Sequence, residues 1–327
     1  MSTLDVIVPC YGYGHFLRQC VESALAQSGP SVRVLIIDDG SSDNTAQIAR
    51  QLVESDARVS LIVHENNRGH IATYNEGLDW VSADYLLILS ADDYVLPGAF
   101  ARATELMDAD PGTTFSFGAA TMLESDTGKT RTGASLPVST NRVLSGAQFI
   151  AESGGNNIVF TPTAIVRTSS QKQAGGYLSR FPHCADMELW FRLAALGRVA
   201  YITTPQAVYR RHSANMSSTY IGGYLPDLVE RKAVLDHFFS EYRQAAQHEL
   251  YRRAKYSLAC SAIAFASAAY EDGKTEAFRE LVQFARSTSP AWWASIPFCK
   301  FTLKRAVGLH TTRALRSMLG RRKAAFI

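Results

Sequence analysis

Short apolar runs alternate with amphipathic, helix-like stretches through about the first 120 residues of the chain. The runs are Val6–Val8, Val32–Ile37, Val59–Val63 and Tyr85–Leu89. Strands that alternate with helices predict right-handed βαβ units and a largely parallel sheet. The second and fourth runs are apolar almost throughout, which is typical of strands covered by helices on both faces.

The pattern changes twice further along the chain. Between Phe115 and about Tyr201 it loosens into strands, glycine-rich loops and one clear helix, Asp186–Leu196. Beyond Tyr220 the strand signals stop and the pattern is helical. The predicted fold class is α/β, with a mostly parallel central sheet flanked by helices and a helical C-terminal extension. We expect a first domain over residues 1–218 and a helical region over residues 219–327.

Composition agrees with one large core and an appended region. The chain has 327 residues, of which 46% are hydrophobic. Its five cysteines are widely spaced and include no Cys-x-x-Cys pair, which predicts reduced, mostly buried thiols rather than disulfides or a zinc site. There is no basic leader before a long apolar segment, and no apolar run reaches the roughly 18 residues of a membrane span. We therefore expect a cytoplasmic protein.

The net charge of +3 hides a difference between the two parts of the chain. From Leu281 to Ile327 there are nine Lys or Arg residues and no Asp or Glu, so an acidic body carries a basic tail. Aromatic residues Trp292, Trp293 and Phe298 accompany this charge. The tail suits either an interfacial helix on anionic lipid at the inner membrane surface or a packed extension with a solvated basic face. It has no nucleic-acid-binding motif, so we expect no nucleic-acid partner.

Two acidic clusters follow two of the predicted strands. The first is Asp38-Asp39-Gly40-Ser41-Ser42, and the second is Ser90-Ala91-Asp92-Asp93. Since ligands of open α/β sheets bind beyond the carboxyl ends of strands, both clusters are expected to face one crevice. A helix cap and a turn explain the serines of the first cluster but not its aspartates. The second cluster suits either exposed carboxylates or a divalent cation that also binds phosphate oxygens.

Several motifs together resemble one family. They are Val6-Ile7-Val8-Pro9-Cys10-Tyr11, Asp38-Asp39-Gly40-Ser41-Ser42-Asp43-Asn44-Thr45, Asn66-Asn67-Arg68-Gly69 and Leu89-Ser90-Ala91-Asp92-Asp93-Tyr94-Val95-Leu96-Pro97. In order and spacing, over roughly residues 3–218, the chain resembles a family 2 glycosyltransferase with the GT-A fold. The resemblance implies a nucleotide site in which Tyr11 stacks on the base and Asp39 hydrogen-bonds it. Pro9 and Asp38 would line the same site, with Arg68 near the base or the diphosphate.

The resemblance also implies a metal site and a general base. Asp93 and Asp92 would bind Mn²⁺ or Mg²⁺, and Asp92 would lie near the ribose. Many members carry an aspartate where this chain has Ser90. The block Cys184-Ala185-Asp186-Met187-Glu188-Leu189-Trp190-Phe191-Arg192-Leu193 resembles the family's Glu-Asp motif, with alanine in place of the glutamate. Asp186 would then be the base, although the segment also suits a helix N-cap followed by an amphipathic face.

Two further segments are expected to line the crevice. Tyr209-Arg210-Arg211-His212 resembles part of the family's closing loop, where Arg211 suits phosphate oxygens and His212 suits the metal. Surface salt bridges are the alternative for both residues. Gly154–Asn157 and Thr161–Thr163 are expected to shape the acceptor side. The remaining histidines considered, His15, His64, His70 and His183, are interpreted as structural.

The predicted function is transfer of a sugar from a nucleotide-diphosphate donor, a UDP-sugar, to a hydroxyl of a glycan or lipid-linked acceptor in bacterial-type polysaccharide synthesis. The reaction implied by the resemblance is a metal-assisted single displacement with inversion.

Two alternatives to this function stay open. A sugar-phosphate nucleotidyltransferase usually has a cationic, glycine-rich loop after its first strand, whereas the segment from Pro9 to His15 carries no Lys or Arg. A catalytically silent nucleotide-sugar-binding protein of the same fold is favoured by Ser90 and Ala185. The presence of Asp39, Asp93 and Asp186 disfavours it.

Overall fold

The computed structural model describes residues 2–213, 215, 224–242 and 247–307. Within these ranges the strands are β1 (Thr3–Cys10), β2 (Ser31–Asp38), β3 (Val59–Val63), β4 (Tyr85–Ile88), β5 (Tyr94–Val95), β6 (Thr113–Glu124), β7 (Lys129–Gly133), β8 (Arg142–Ser145), β9 (Ile165–Arg167) and β10 (Arg198–Arg211). The α-helices of the first part are α1 (Gly14–Leu25), α2 (Thr45–Ser55), α3 (His70–Trp80), α4 (Ala99–Ala109), α5 (Gly146–Ser153), α6 (Thr168–Ala174) and α7 (Ala185–Leu196). Those of the C-terminal region are α8 (Tyr224–Glu241), α9 (Gln247–Glu271), α10 (Thr275–Thr288) and α11 (Ile296–Val307).

A single mixed sheet forms the centre of the molecule, in the order β3-β2-β1-β4-β9-β6-β10-β5, with β7 on β6 and β8 on β10. The first four strands of this order are parallel, as the βαβ pattern predicts. Strand β9 runs antiparallel to both β4 and β6. The α/β class is therefore confirmed, and the all-parallel run is confined to the half of the sheet built by the first 90 or so residues.

Helices cover both faces of the parallel strands. Since successive side chains of a strand point to opposite faces, each strand contributes to two cores. Val6 and Val8 of β1 belong to the core under α1, α2 and α4, whereas Ile7 belongs to the core on the other face. This double burial explains why the strands are apolar along nearly their whole length.

The C-terminal helices pack into the core that contains Ile7, together with elements of the first part of the chain. Phe191 of α7 packs on Phe238 of α8 with ring centroids 5.4 Å apart, and Leu258 of α9 is buried in the same cluster. The proposed division near residue 219 therefore crosses a continuous apolar contact and remains a prediction.

Helix α11 packs on α9 and α10 through one face. The ring of Phe301 lies 5.5 Å from that of Tyr270, and Lys304 Nζ donates to a carboxylate oxygen of Glu271 at 2.6 Å. The other face leaves Ile296 and Leu303 exposed, at 70% and 66%. Five basic residues of the predicted tail lie outside the described residues: Arg313, Arg316, Arg321, Arg322 and Lys323. In the described part of the chain, no helix combines the length and apolarity needed to cross a bilayer.

The start of α5 approaches the end of α7 at Gly146. A β-carbon at Gly146 would lie 1.7 Å from the carbonyl oxygen of Ala194 and 3.1 Å from that of Gly197. Backbone atoms cannot turn aside as a flexible side chain can. Glycine is therefore required for the contact that places α5 beside α7.

We expect Gly146→Ala to lower the free energy of unfolding by about 3 kcal/mol, because the helices must separate to admit the methyl group. Gly128→Ala is the control, since no atom lies within 4 Å of its added carbon and only its left-handed backbone is strained. Its cost is expected to be about 1 kcal/mol. Urea unfolding of both variants measures the difference, and equal losses would contradict the close approach.

Candidate active site

The two acidic clusters lie at the same edge of the sheet, on either side of β1. Strand β1 is parallel to both β2 and β4. The N–H of Asp39 donates to the carbonyl of Cys10 at 2.9 Å, and the N–H of Leu89 donates to that of Ile7 at 2.9 Å. Both clusters therefore begin where their strands leave β1, as expected for a crevice at the carboxyl ends of parallel strands.

The segment after β1 is attached to the first of these clusters. The N–H of Gly12 donates to Ser41 Oγ at 2.9 Å, and that of Gly14 donates to Asp43 Oδ2 at 3.2 Å. Tyr11 is 55% exposed, so one of its surfaces is open to a ligand. Pro9 is partly buried inside β1 itself.

Asp39 is a buried carboxylate held by three donors. It accepts hydrogen bonds from the backbone N–H of Arg68 at 2.8 Å and of Gly69 at 3.0 Å, and it meets His64 Nδ1 at 2.7 Å. Burial alone would raise the pKa of Asp39, but these partners lower it below its usual value. A carboxylate offers about four acceptor positions, so one is left for an N–H of a ligand.

The same network holds the side chain of Arg68. Glu76 Oε2 lies 2.7 Å from His64 Nε2 and 2.9 Å from a guanidinium nitrogen of Arg68. His64 thus connects Asp39 to Glu76, a role that follows from its position beside the ligand site. The sequence gives no signal for this role, because the second carboxylate, Glu76, lies on a different element, α3, and meets His64 only in the folded chain.

Asp38 lies under the turn that follows β2. Its Oδ1 accepts the N–H of Ser41 at 3.1 Å, while its buried Oδ2 has no hydrogen-bond partner among the described residues. One oxygen therefore shapes the turn. The predicted part of Asp38 in nucleotide binding remains a prediction.

Asp92 and Asp93 form a buried acidic pair, with exposed fractions of 6% and 3%. Burial, and then the neighbouring charge of Asp92, raises the pKa of Asp93 well above its usual value. The pKa of Asp92 is also raised by burial, although His212 opposes the shift. A cation beside the pair would remove the repulsion and stabilise both charges.

The closing segment contacts this acidic pair. His212 Nε2 and the side-chain amide of Asn215 lie 3.1 and 3.0 Å from Asp92 Oδ2. The N–H of Arg210 donates to Asp93 Oδ1 at 2.8 Å. His212 is thus placed next to the predicted metal ligands, and oxygen and imidazole donors together suit a divalent cation such as Mn²⁺.

Arg210, rather than Arg211, carries the observed arginine contacts at this edge. Its Nε donates to the backbone carbonyl of Asp92 at 2.7 Å, and its guanidinium lies 4.4 Å from the ring centroid of Phe16. Because adjacent residues of a strand point to opposite faces, the two arginines at the end of β10 cannot both point at Asp92. The predicted phosphate contact of Arg211 stays a prediction.

Asp186 lies in the first turn of α7. Its Oδ2 accepts from the side-chain amide of Asn157 at 2.7 Å and from the hydroxyl of Thr161 at 3.3 Å, and its Oδ1 accepts the N–H of Met187 at 2.7 Å. Burial raises the pKa of Asp186, and these three donors limit the rise. The segments of Asn157 and Thr161 are those expected on the acceptor side, and their contact with Asp186 is not evident from the sequence.

Tyr74 of α3 lies between Asp186 and the acidic pair in its electrostatic surroundings. Burial, followed by the charges of Asp186 and Asp92, raises the pKa of the Tyr74 phenol above its usual value. The ring of Tyr74 also lies 5.2 Å from that of Tyr177. Beside this group, a cavity of about 380 Å³ opens between the start of α3 and residues 177–179.

A second set of side chains of the ligand type lies behind Asp186. Ligand atoms of His183, Cys184 and Asp227 all fall within 4.8 Å of one another. However, Asp227 already pairs with the guanidinium of Arg231, and burial raises the pKa of the Cys184 thiol, which keeps it protonated. This arrangement is a hydrogen-bonded cluster in which the guanidinium of Arg231 supplies the positive charge.

Comparison with known proteins identifies the family and the fold. The family described as glycosyl transferase family 2 matches residues 5–166. The glycosyltransferase GlyG of Streptococcus pneumoniae is 34% identical over 92 residues, which cover 28% of this chain and 31% of that protein's length.

Two solved structures are similar in fold. Residues 1–349 of S. aureus TarS, in complex with UDP, match with a TM-score of 0.56 and 16% identity over 89% of this chain and 91% of that one. The mannosyltransferase PcManGT of Pyrobaculum calidifontis, in complex with GDP-Man and Mn²⁺, matches with a TM-score of 0.51 and 18% identity over 97% and 87%. The predicted GT-A fold is therefore confirmed. The chain belongs to glycosyl transferase family 2, and the matching part is residues 5–166.

Proposed function

We propose that this family 2 glycosyltransferase moves a sugar from a nucleotide-diphosphate donor, a UDP-sugar, to the hydroxyl of an acceptor. The observation that carries the proposal is a set of carboxylates near the carboxyl edge of the sheet, namely Asp39, the pair Asp92–Asp93 and Asp186. Asp39 and the pair are buried, and Asp186 is partly buried. Each is held in a different electrostatic state, and each state suits one part of the reaction.

Asp39 is the proposed nucleobase ligand. Its lowered pKa keeps it charged, and its remaining acceptor position suits the ring N–H of a uracil. Tyr11 offers an exposed ring for stacking on that base. The guanidinium of Arg68 adds a positive charge near the diphosphate. UDP in the TarS complex supports the choice of a uridine nucleotide.

Asp92 and Asp93, with His212, are the proposed metal ligands. The raised pKa values of the two carboxyls favour a site completed by a cation, and the Mn²⁺ of the PcManGT complex supports this choice. When bound, Mn²⁺ or Mg²⁺ would offset the negative charge that develops on the departing diphosphate.

Asp186 is the proposed general base. Asn157 and Thr161 occupy its Oδ2, so Oδ1 is the oxygen with capacity to accept a proton. In a single displacement the acceptor oxygen bonds the anomeric carbon, the bond from that carbon to the diphosphate breaks, and the hydroxyl proton moves to Asp186. Attack opposite the leaving group inverts the anomeric centre.

The two alternatives fit the site less well. The loop after β1 bonds its own chain through Gly12 and Gly14, and it carries no Lys or Arg that would serve a nucleotidyltransferase. A silent binding protein has no need for a carboxylate with a raised pKa at Asp186. Turnover of a UDP-sugar by the purified protein would distinguish the proposed glycosyltransferase from a silent binding protein.

The C-terminal region supports a glycan or lipid-linked acceptor at an anionic membrane surface. Trp293, Ile296 and Leu303 are exposed at the start and along one face of α11. Lys and Arg residues follow in the sequence, with no Asp or Glu among them. Apolar side chains beside positive charge are typical of helices that lie in the interface of anionic lipids.

The metal site is tested with Asp93→Asn. We expect UDP with Mn²⁺ to stabilise the wild-type protein, by about 2.7 kcal/mol when UDP is at 100 times its Kd. Because a buried carboxyl with a raised pKa resembles an amide, the variant should fold and lose only the Mn²⁺-dependent part of this gain. Thermal unfolding with and without Mn²⁺ measures it. Asp126→Asn, in the exposed turn after β6, is the matched control. Full Mn²⁺ dependence in Asp93→Asn would refute the metal assignment.

The base is tested with Asp186→Asn. We expect normal UDP binding and a rate of UDP release from UDP-N-acetylglucosamine, with water as acceptor, that falls about 100-fold or more. In the wild-type protein the rate should fall as pH drops through the pKa of Asp186, because only the deprotonated carboxylate accepts the proton. Since burial raises this pKa, the acid limb should lie above the range of an ordinary aspartate, about 3.9. A fully active Asp186→Asn protein would rule out this base.

The membrane surface is tested with the double variant Trp293→Ser, Leu303→Ser. Removing two exposed apolar side chains should lower binding to vesicles of phosphatidylglycerol and phosphatidylcholine by at least about tenfold. Co-sedimentation measures the bound fraction. Thr302→Ser, on the same helix, is the control, and pure phosphatidylcholine vesicles test the part played by charge. Unchanged binding of the double variant would contradict the proposed surface.

A further inference from the structure

Asp186 is held by two separate segments of the chain. The loop before the Thr161–Thr163 turn supplies Asn157, which bonds Asp186 Oδ2 at 2.7 Å. The residues just before α7 supply His183, whose charge lowers the pKa of Asp186 after the effects of burial and of the direct donors. The position and the basicity of the carboxylate therefore depend on both segments.

Helix α8 contacts the first of these segments. A guanidinium nitrogen of Arg231 donates to the side-chain oxygen of Asn156 at 2.5 Å, next in sequence to Asn157. Arg231 is only 8% exposed, and its other terminal nitrogen pairs with Asp227 one turn earlier on the same helix. A buried arginine between two fixed partners has little freedom to move, so it fixes the loop that it contacts.

The same helix contacts the second segment. Glu230 Oε1 accepts the backbone N–H of His183 at 2.7 Å and of Cys184 at 2.8 Å. Asp227 Oδ1 lies 3.0 Å from His183 Nε2. The N-cap residue Cys184 makes no side-chain cap of its own. A carboxylate from α8 therefore holds the backbone that leads into α7, where helical N–H groups need partners and favour negative charge.

We propose that Asp227, Glu230 and Arg231 are positioning residues for the general base, supplied by the C-terminal helical region. They contact neither the acidic pair nor Asp39, and they act on Asp186 through Asn156–Asn157 and His183–Cys184. The proposal rests on the proposed function, in which Asp186 accepts the proton. It adds residues of the C-terminal helical region to a site whose proposed base, Asp186, already lies outside residues 5–166, the part that matches the family.

The groups that face Asp186 make its titration a usable readout. Tyr74, Tyr177 and Cys184 all have pKa values raised by burial and by the charge of Asp186, so they stay neutral. Besides its hydrogen-bond donors, His183 is the neighbour that lowers the pKa of Asp186. Loosening those donors or His183 therefore raises the pKa of Asp186, and the acid limb of the rate moves to higher pH.

The experiment uses the full chain with Mn²⁺ and UDP-N-acetylglucosamine, and Arg231→Lys as the first variant. Lysine keeps the charge but cannot bridge two partners as the guanidinium does. We expect kcat to fall about tenfold and the acid limb to rise by about one pH unit, the size of one hydrogen bond to a charged group. KM for the donor and stabilisation by UDP with Mn²⁺ should stay within about twofold.

Arg253→Lys is the matched control. Arg253 pairs with Glu249 one turn earlier on α9, as Arg231 pairs with Asp227 on α8. However, the side chain of Arg253 is 69% exposed, and its ion pair does not include a residue that contacts the segments around Asp186. This variant should keep the wild-type kcat and acid limb. An equal change in both variants would overturn the proposal, because it would mean that any lost ion pair of the helical region has the same effect.

A double-mutant cycle with Asn157→Ala tests the route of the effect. Asn157 is exposed, so its truncation leaves the fold intact. If Arg231 acts through the loop of Asn157, the double variant should lose little more activity than the worse single variant. Additive losses in kcat would overturn this route and with it the proposal.

Loss of UDP binding by Arg231→Lys would indicate that this variant is misfolded. In that case Glu230→Gln tests the proposal in its place. The amide retains an acceptor oxygen, so the variant should fold, with a lower kcat and a shifted acid limb. If Glu230→Gln, or a folded Arg231→Lys, kept the wild-type kcat and acid limb, the positioning role would be overturned. The assignment of Asp186 as the base would still stand if Asp186→Asn were inactive. An active Asp186→Asn would instead remove the base and the positioning role together.

Discussion

Burial of carboxylates at one edge of a parallel sheet is the constraint on which the site depends. A charged group taken out of water is stable only where donors or a cation replace the lost hydration. Asp39 has three donors and a lowered pKa, whereas Asp93 is held by one backbone donor beside another carboxylate and has a raised pKa. The donors of Asp39 replace much of its lost hydration, whereas a cation beside Asp93 would remove the repulsion between the two carboxylates. On the proposed assignment, this contrast, rather than the presence of aspartates as such, separates the nucleobase site from the metal site.

Asp186 lies between these two extremes. Three hydrogen bonds limit the rise that burial causes in its pKa, but they do not cancel it. Such a carboxylate is more basic than an aspartate in water, which favours proton abstraction. Side chains of α8 contact the two segments that hold Asp186, so on our proposal the basicity of one side chain depends on a helix that follows the sheet strands in the chain.

The sequence could predict where the carboxylates would lie but not what holds them. Asp39 and Asp93 directly follow apolar strands, and parallel strands bring their carboxyl ends to one edge, so their placement follows from local pattern alone. Their partners are distant in sequence. His64 is 25 residues from Asp39, and Arg210 is 117 residues from Asp93. No periodicity links such pairs, so the sequence indicates neither the partners of His64 nor the contacts of Arg210, the neighbour of the predicted phosphate ligand Arg211.

The division of the chain near residue 219 illustrates a different limit. The loss of strand pattern marks a change of secondary structure, but a boundary between domains also requires few contacts across it. Here the apolar core continues from Phe191 to Phe238, and Arg231 reaches Asn156. Since α11 of the same region carries the proposed membrane face, the elements that would hold the enzyme at a surface are continuous with those that hold its base. A rigid connection of this kind would present the open side of the base to an acceptor in a fixed orientation relative to the surface.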